Sequence, residues 1–293
     1  MQPPRNIPAA QVFSESDFPL SVRRIDNHGD TTVHGHAFHE LVLILGGTGQ
    51  HVTAHGRYPL KTGDVFLIRG STTHGYANVR DLRLVNILFA PRRLRLPLRE
   101  LDVGTIPGYH ALFRIEPRMR NDGRTGMRLG LSTGQLEGAC GIIEALEDEL
   151  HARRPGCRFM ACSHLMRLIG YLSRCYSASR SPRTAPVLGI SRALSHIEEH
   201  YADPVSIAEL ARAARMSESS LMRHFRNTVG HTPIDYLIRT RVHRACELLR
   251  QEEGAKITAI AMRCGFGDGN YFSRQFRLVM GCTPRAYRVA VRI

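Results

Sequence analysis

The sequence predicts an α+β protein in two parts: a β-rich sandwich or small barrel with flanking helices, then an all-helical region. Three observations carry this. From about residue 20 to 95, short runs such as LVLIL, DVFLI and LRLVNILF are separated by GGTG, AHG and KTGD, the punctuation of antiparallel strands. From about 132 to 177, and again after 189, apolar residues recur at helical spacing. Finally, RHFRNTVGHTPIDY at 223–236 returns as RQFRLVMGCTPRAY at 274–287, and Arg223/Arg274, Phe225/Phe276, Arg226/Arg277, Gly230/Gly281, Thr232/Thr283, Pro233/Pro284 and Tyr236/Tyr287 all stand 51 apart.

The whole chain sets bounds on these parts. Its 293 residues suit about two domains, each able to bury a core. No run of about 18 apolar residues exists, and MQPPRNIPAA lacks a charged start followed by an apolar block. Neither a membrane span nor a signal peptide is expected, so a cytoplasmic protein is. The seven cysteines are odd in number, form no CxxC pair and sit within apolar patterns, so they read as buried thiols. The net charge of +14 invites a polyanionic partner, because basic side chains release counterions from nucleic acid. That charge is spread, however, with 16 basic and 10 acidic residues from Gly189 onward against 24 and 16 before it. Lys61 and Lys256 are the only lysines, and such arginine usage fits a GC-rich genome as well as bidentate phosphate contact.

Taken in order, the strand-like runs come first. Two helices follow: Leu136, Cys140, Ile143 and Leu150 share one face, and Phe159, Cys162, Leu165, Ile169, Leu172 and Tyr176 another. Leu136, Ile143 and Leu150 also fall at heptad spacing, which leaves a dimer seam open beside simple packing onto the barrel. Between about 176 and 189 the chain is poor in large apolar residues and holds two prolines, as a linker would. The domains are therefore expected at 1–178 and 189–293.

The last region carries clear helix signals. SIAE at 206–209 is a capping box. Ser217 and Asp268, again 51 apart, are N-caps, Gly230 and Gly281 are left-handed ends, and each TP opens a further helix. Each copy thus reads as a short helix, a tight turn and a second helix, at 206–213 with 218–229 and at 258–264 with 269–280. That arrangement lays a second helix in a DNA major groove.

Leu221 with Phe225, and Phe272 with Phe276, are i and i+4 and face the core. Ser219, Met222, Arg223 and Arg226 are left outward in the first copy, and Asn270, Ser273, Arg274 and Arg277 in the second. Arginine suits guanine and asparagine adenine, whereas Arg226 and Arg277, one turn on, suit phosphate. A lone arginine usually only solvates its helix face, but here the same arginine recurs in two capped copies. IDYLIRTRVHRACELLR, a helix of 17 residues between the copies, would span about 25 Å and set two reading helices near the roughly 34 Å repeat of one DNA face.

These residues, above all ARAARMSESSLMRHFRNTVGHTPIDYLIRTRV and ITAIAMRCGFGDGNYFSRQFRLVMGCTPRAYR, resemble the DNA-binding domain of the AraC/XylS family of transcription regulators. The resemblance implies base contact at Ser219, Met222 and Arg223 and at Asn270, Ser273 and Arg274. Serine and methionine make few bidentate contacts, so the first helix is expected to read less sequence than the second.

HGHAFHELVLILGGTG followed by YPLKTGDVFLIRGSTTHGYAN resembles a cupin barrel, and the front part as a whole is most similar to the rhamnose-operon regulators. His34, His36, Glu40 and His74 stand where metal-binding cupins hold an ion, a donor set suited to Zn, Fe, Mn or Ni. Arg69 replaces the proline usual in metal-binding members, so sugar contact or hydrogen bonding within the barrel is the preferred reading and no metal or cofactor is assigned. A polyol pocket needs converging donors and acceptors, and His34, His36, His74, Tyr76 and Asn86 are the candidates. The expectation is a non-enzymatic regulator, an activator that answers a sugar such as L-rhamnose and binds double-stranded DNA as a homodimer, with RNA polymerase as a further partner. The rivals are a metal-dependent cupin enzyme with a DNA-binding tail and an architectural DNA binder.

Overall fold

The computed structural model describes residues 5–291 apart from 14, 16, 71, 122–127 and 181–183. The chain divides into two compact units, residues 1–188 and 189–293.

The first unit holds β1 (Arg5–Ile7), β2 (Leu20–His28), β3 (Thr31–His36), β4 (His39–Thr53), β5 (Gly56–Leu60), β6 (Asp64–Ile68), β7 (His74–Phe89) and β8 (Leu129–Gly130). All belong to one sheet, antiparallel except for the parallel pair β1 and β3. Its spine is the long pair β4 and β7, matched from His39↔Phe89 to Thr53↔His74 with register slips between Ile44 and Gln50. One half of the spine carries β2 and β6, the other β3 and β5. The sheet therefore folds over on itself. Among the described residues no ladder joins its outer strands, so the expected barrel is strongly bent but not closed.

Gly47 makes the bend. Its φ is +77°, and a Cβ there would sit 2.1 Å from the Asp81 carbonyl oxygen, so only glycine fits the close strand approach.

LVLIL is apolar throughout because both faces of β4 are covered, and Leu41, Val42, Leu43 and Ile44 are all fully buried. Val42, Ile44, Leu60, Phe66, Ile68, Tyr76, Leu82 and Leu84 form one cluster on the concave face. The opposite face meets helices: α4 (Thr133–Ala152) packs on β2 and on α5 (Cys157–Ala178), and a π turn at His110–Ile115 with α3 (Glu116–Asn121) packs on β6. The short α1 (Pro91–Leu94) and α2 (Pro107–Tyr109) lead into that turn.

Four sequence expectations need correction here. The buried face of α4 is Ala139, Ile142, Ile143 and Leu146, while Leu136, Cys140 and Leu150 are only half-buried. Ile143 is fully buried in its own unit, so the heptad row is not a free stripe. Phe159 is 74% exposed, because α5 begins its core face only at Ala161 and Leu165. The stretch from 185 to 189, expected as linker, opens α6 (Ala185–His200). Finally, Cys175, Cys246 and Cys264 are buried thiols, but Cys140, Cys157, Cys162 and Cys282 are half-exposed.

The second unit contains α6, α7 (Ile207–Ala214), α8 (Glu218–Val229), α9 (Pro233–Gln251), α10 (Ile257–Arg263), α11 (Gly269–Met280) and α12 (Pro284–Ala290). The caps account for these boundaries. Ser206 and Glu209 form a reciprocal capping box, and Thr232 and Asp235 form another. The side chains of Ser217, Asp268 and Thr283 accept from Ser220, Tyr271 and Ala286 amides. Gly230 and Gly281 end α8 and α11 at φ +84° and +76°. The copies differ at the first helix: α10 starts at Lys256 with no side-chain cap.

The long α9 is the shared support, since α7, α8, α10, α11 and α12 all pack against it. Leu221 and Phe225 are fully buried in one copy, Phe272 and Phe276 in the other. Arg241 on α9 also donates to the Tyr201 and Asp203 carbonyls at 2.7 and 2.8 Å, tying the end of α6 to it.

Candidate functional site

The concave face of the bent sheet holds an unusual number of buried polar side chains. His36 ends β3, Glu40 and His51 lie on β4, and His74, Tyr76 and Asn86 lie on β7, each buried. The His51 ring is 5.6 Å from His74 and 5.7 Å from Tyr76, and His74 is 6.1 Å from Tyr76, centroid to centroid. Half-buried His34 stacks at a tilt, 4.5 Å from His74. Asn86 joins this face through its register with Val42. The structure thus gathers His34, His36, His74 and Tyr76 in one place and sets Asn86 on the same wall.

Several of these polar atoms have no hydrogen-bond partner among the described residues. Both ring nitrogens of His51, both of His74, the Tyr76 hydroxyl and the Asn86 carbonyl oxygen are buried without a hydrogen bond. Leaving such an atom unpaired costs about 1–3 kcal/mol, so a wall of them is a wall for a polar ligand. Burial pulls the His74 imidazole down to about 4, despite Glu40 beside it, and pulls His51 well below its usual range. These rings are therefore neutral donors and acceptors. Desolvation likewise raises the Tyr76 hydroxyl well above its usual value, so it keeps its proton.

Glu40 is the exception in charge. Burial raises its carboxyl, but the His36 hydrogen bond leads the opposing effects, and the balance holds it below the usual carboxylate value. Its Oε2 lies 3.0 Å from His36 Nε2 and 3.5 Å from His74 Nε2. The second is a contact of a carboxylate with a neutral ring rather than an ion pair. One ligand atom from each of His36, Glu40 and His74 lies within 4.8 Å of the others.

A second buried polar group borders the concave face. Arg120 and Arg128 both lie over the Phe66 ring, at 5.4 and 4.9 Å. Arg120 donates to the Leu67 carbonyl at 3.0 Å, and Arg128 to the Pro59 carbonyl at 2.7 Å and to Asp64 at 3.4 Å. Together they bridge the β5 and β6 edges, which no ladder joins among the described residues. Glu116 accepts from the Tyr176 hydroxyl of α5. Sequence reasoning did not single out His51, Glu116, Arg120, Arg128 or Tyr176 as site residues. His51 was hidden by the register slips in β4, and the others come from segments distant in sequence, with no motif to announce them.

In the second unit, Ser219, Met222, Arg223 and Arg226 are exposed on α8, and Asn270, Arg274 and Arg277 on α11. Ser273 is half-buried, and its hydroxyl donates to the Gly269 carbonyl at 2.9 Å, within its own helix. Arg274 lies 5.4 Å over Tyr271, and Arg223 reaches His224 at 3.5 Å; among the described residues no carboxylate holds either. The buried phenylalanines on the opposite side of each helix fix these faces outward.

Among the described residues no helix is long and apolar enough to cross a membrane. The family model described as an AraC-like ligand binding domain matches residues 19–169, and the one described as a helix-turn-helix domain matches 210–290. The HTH-type transcriptional activator RhaR of Escherichia coli K12 is 34% identical over 257 residues, covering 87% of this chain and 86% of that protein. RhaR of Shigella flexneri matches with the same identity and coverage. A transcriptional regulator structure with an AraC-type DNA-binding domain, from Chromobacterium violaceum, is 31% identical over 35% of this chain and 91% of its own, with a TM-score of 0.34. The matched models cover both units, and the relatives align along nearly the whole length: this chain belongs to the AraC family of transcriptional regulators.

Proposed function

We propose that the chain is a cytoplasmic transcription activator whose first unit, expected at 1–178, binds a small sugar such as L-rhamnose and dimerises, while the second, 189–293, reads two successive major grooves of double-stranded DNA, so that a homodimer occupies two half-sites. Effector contacts are assigned to His34, His36, His74, Tyr76 and Asn86. Base contacts are assigned to Ser219, Met222, Arg223, Asn270, Ser273 and Arg274, and phosphate contacts to Arg226 and Arg277. RNA polymerase is the further partner, and no catalytic role is assigned.

The observation that carries this reading is the set of buried, uncharged and unpartnered polar atoms on the concave face. Neutral imidazoles, a phenol and an amide suit hydroxyl groups, which both donate and accept, better than they suit an anion. An effector acts only through unequal affinity for two arrangements of the protein. The test is a thermal-shift screen of the full chain against L-rhamnose and other neutral sugars, with DNA footprinting of the same samples. A sugar that raises the melting temperature and changes the footprint supports the reading; no sugar doing either refutes it.

A further inference from the structure

Charge divides the two long helices of the first unit. α4 carries Glu137, Glu144, Glu147, Asp148 and Glu149 and no lysine or arginine, whereas α5 carries Arg158, Arg167 and Arg174 and no carboxylate. Contacts within the chain absorb only part of this. Glu147 pairs with Arg24 at 2.9 Å and Glu149 with Arg154 at 2.6 Å, and Arg158 holds Glu15 and Asp17 at 2.6 and 2.9 Å. Glu137, Asp148, Arg167 and Arg174 are exposed and form no ion pair among the described residues. Glu144, its side chain 62% exposed, only approaches Arg24 at 4.0 Å.

These leftover charges lie in two straight rows. On α4, Glu137, Gly141, Glu144 and Asp148 follow at spacings of four, three and four, which keeps them on one side of the helix, opposite the buried Ala139, Ile142, Ile143 and Leu146. On α5, Ser163, Arg167, Gly170 and Arg174 repeat that spacing opposite Leu165, Leu168 and Leu172. The hairpin brings the rows level. Tyr171 donates to the Gln135 carbonyl at 3.0 Å, and a Cβ on Gly138 would meet its hydroxyl, so the helices run antiparallel with 138 beside 171. At that register Glu137 stands level with Arg174, Gly141 with Gly170, Glu144 with Arg167 and Asp148 with Ser163.

In one chain both rows face away from the core, so neither covers the other. A twofold axis running along the hairpin changes this: it sets each α4 row on the partner's α5 row, antiparallel and at the same level, and makes every contact twice. Glu137 and Glu144 then meet arginines. Gly141 meets Gly170, where a Cβ at either would find nothing within 4 Å and the backbones can close up. A second copy carries both rows in register by construction, whereas any other partner would need the match built separately.

We infer that the outer face of the α4–α5 hairpin is the surface on which two copies of this chain meet, each acidic row lying on the partner's arginine row. This rests on the dimeric part of the proposed function and names its surface. It replaces the heptad row, whose Ile143 is enclosed. Exposed ion pairs add little affinity and chiefly select the partner and its register. Phe159 and Met160, exposed at the start of α5, add apolar contact.

The test is sedimentation equilibrium of the full-length chain. The unaltered protein should dimerise, and more weakly as salt rises, because exposed pairs are screened. Glu137→Arg with Glu144→Arg in one chain, and Arg167→Glu with Arg174→Glu in another, should each weaken self-association at least tenfold. Mixing the two should restore a one-to-one heterodimer, an outcome that a merely structural role does not produce. The salt dependence is read on the unaltered chain, so it stands even where a variant fails to fold. A monomeric parent, a dimer indifferent to salt, or a mixture of folded variants that stays monomeric overturns the proposal. Reversed chains that dimerise as the parent does also overturn it, while leaving the dimer itself on another surface. Sugar thermal shifts and DNA footprinting report separately on the effector and DNA parts of the function.

Discussion

Gly47 and Gly281 have nearly the same backbone torsion, φ +77° and +76°, but opposite surroundings. Replacing either by alanine imposes the left-handed penalty on a side chain, about 1–2 kcal/mol. At Gly281 nothing lies within 4 Å of the new Cβ, so that penalty is the whole cost. At Gly47 the Cβ would lie 2.1 Å from the Asp81 carbonyl oxygen, 2.4 Å from its carbon and 2.6 Å from the Arg80 oxygen, all backbone atoms. One strand would have to retreat by more than an ångström and give up ladder hydrogen bonds, which puts Gly47→Ala above about 3 kcal/mol. The two units need not unfold together, so a single melting temperature would be ill-defined. Native-state hydrogen exchange reads each region separately. Amides of β4 and β7 should lose far more protection in Gly47→Ala than those of α11 lose in Gly281→Ala. Equal losses, or a Gly47→Ala protein protected like the parent, would refute the steric argument.

Arg274→Ala should cost roughly 1–3 kcal/mol of binding and relax preference at one base pair, whereas Arg277→Ala should weaken all sequences alike; competition binding against operator variants at fixed salt separates the two. Uniform weakening by both would make Arg274 a phosphate contact. Glu116 offers a pH test. Burial, outweighing Arg120 and the Tyr176 hydrogen bond, pushes its carboxyl up to about 7 from 4.5. The folded state therefore holds this proton more tightly than the unfolded chain does. The resulting stability is complete below about pH 4.5 and is lost as pH rises through 7, on the order of 3 kcal/mol in all. Glu116→Gln should flatten that part of the pH dependence of the first unit's denaturant midpoint; identical slopes in both proteins would show that Glu116 does not titrate there.

The second unit was legible because its signals are local. A cap is read three residues from its own position, so Ser217, Asp268, Gly230 and Gly281 mark helix ends without knowledge of the fold. The i, i+4 pairs Leu221–Phe225 and Phe272–Phe276 then fix which side faces out. The first helix of the second copy, with no side-chain cap at Lys256, began one residue earlier than expected. The amphipathic stripes of α4 and α5 were less secure, because several registers of a mixed apolar helix look alike until a partner selects one. β2 and α5 select Ala139, Ile142, Ile143 and Leu146 on α4, of which sequence spacing alone singled out Ile143.

The concave site was only half legible, and the reason is parity. On β4, Val42 and Ile44 face inward, so strict alternation would send Gln50 and Val52 inward too. The slips around Gly46 and Thr48 change the count, and His51 and Thr53 turn inward instead, opposite Tyr76 and His74. A bulge is a contact between strands about thirty residues apart in sequence, Gly47 against Asp81, and nothing adjacent to Gly47 reveals it. The motif residues His36, Glu40 and His74 escaped this difficulty because they lie outside the slipped segment. A polar site on a bent sheet is therefore read correctly up to the first bulge and with inverted faces beyond it, which is why His51, with both ring nitrogens buried and unpartnered, stayed hidden while its neighbours were found.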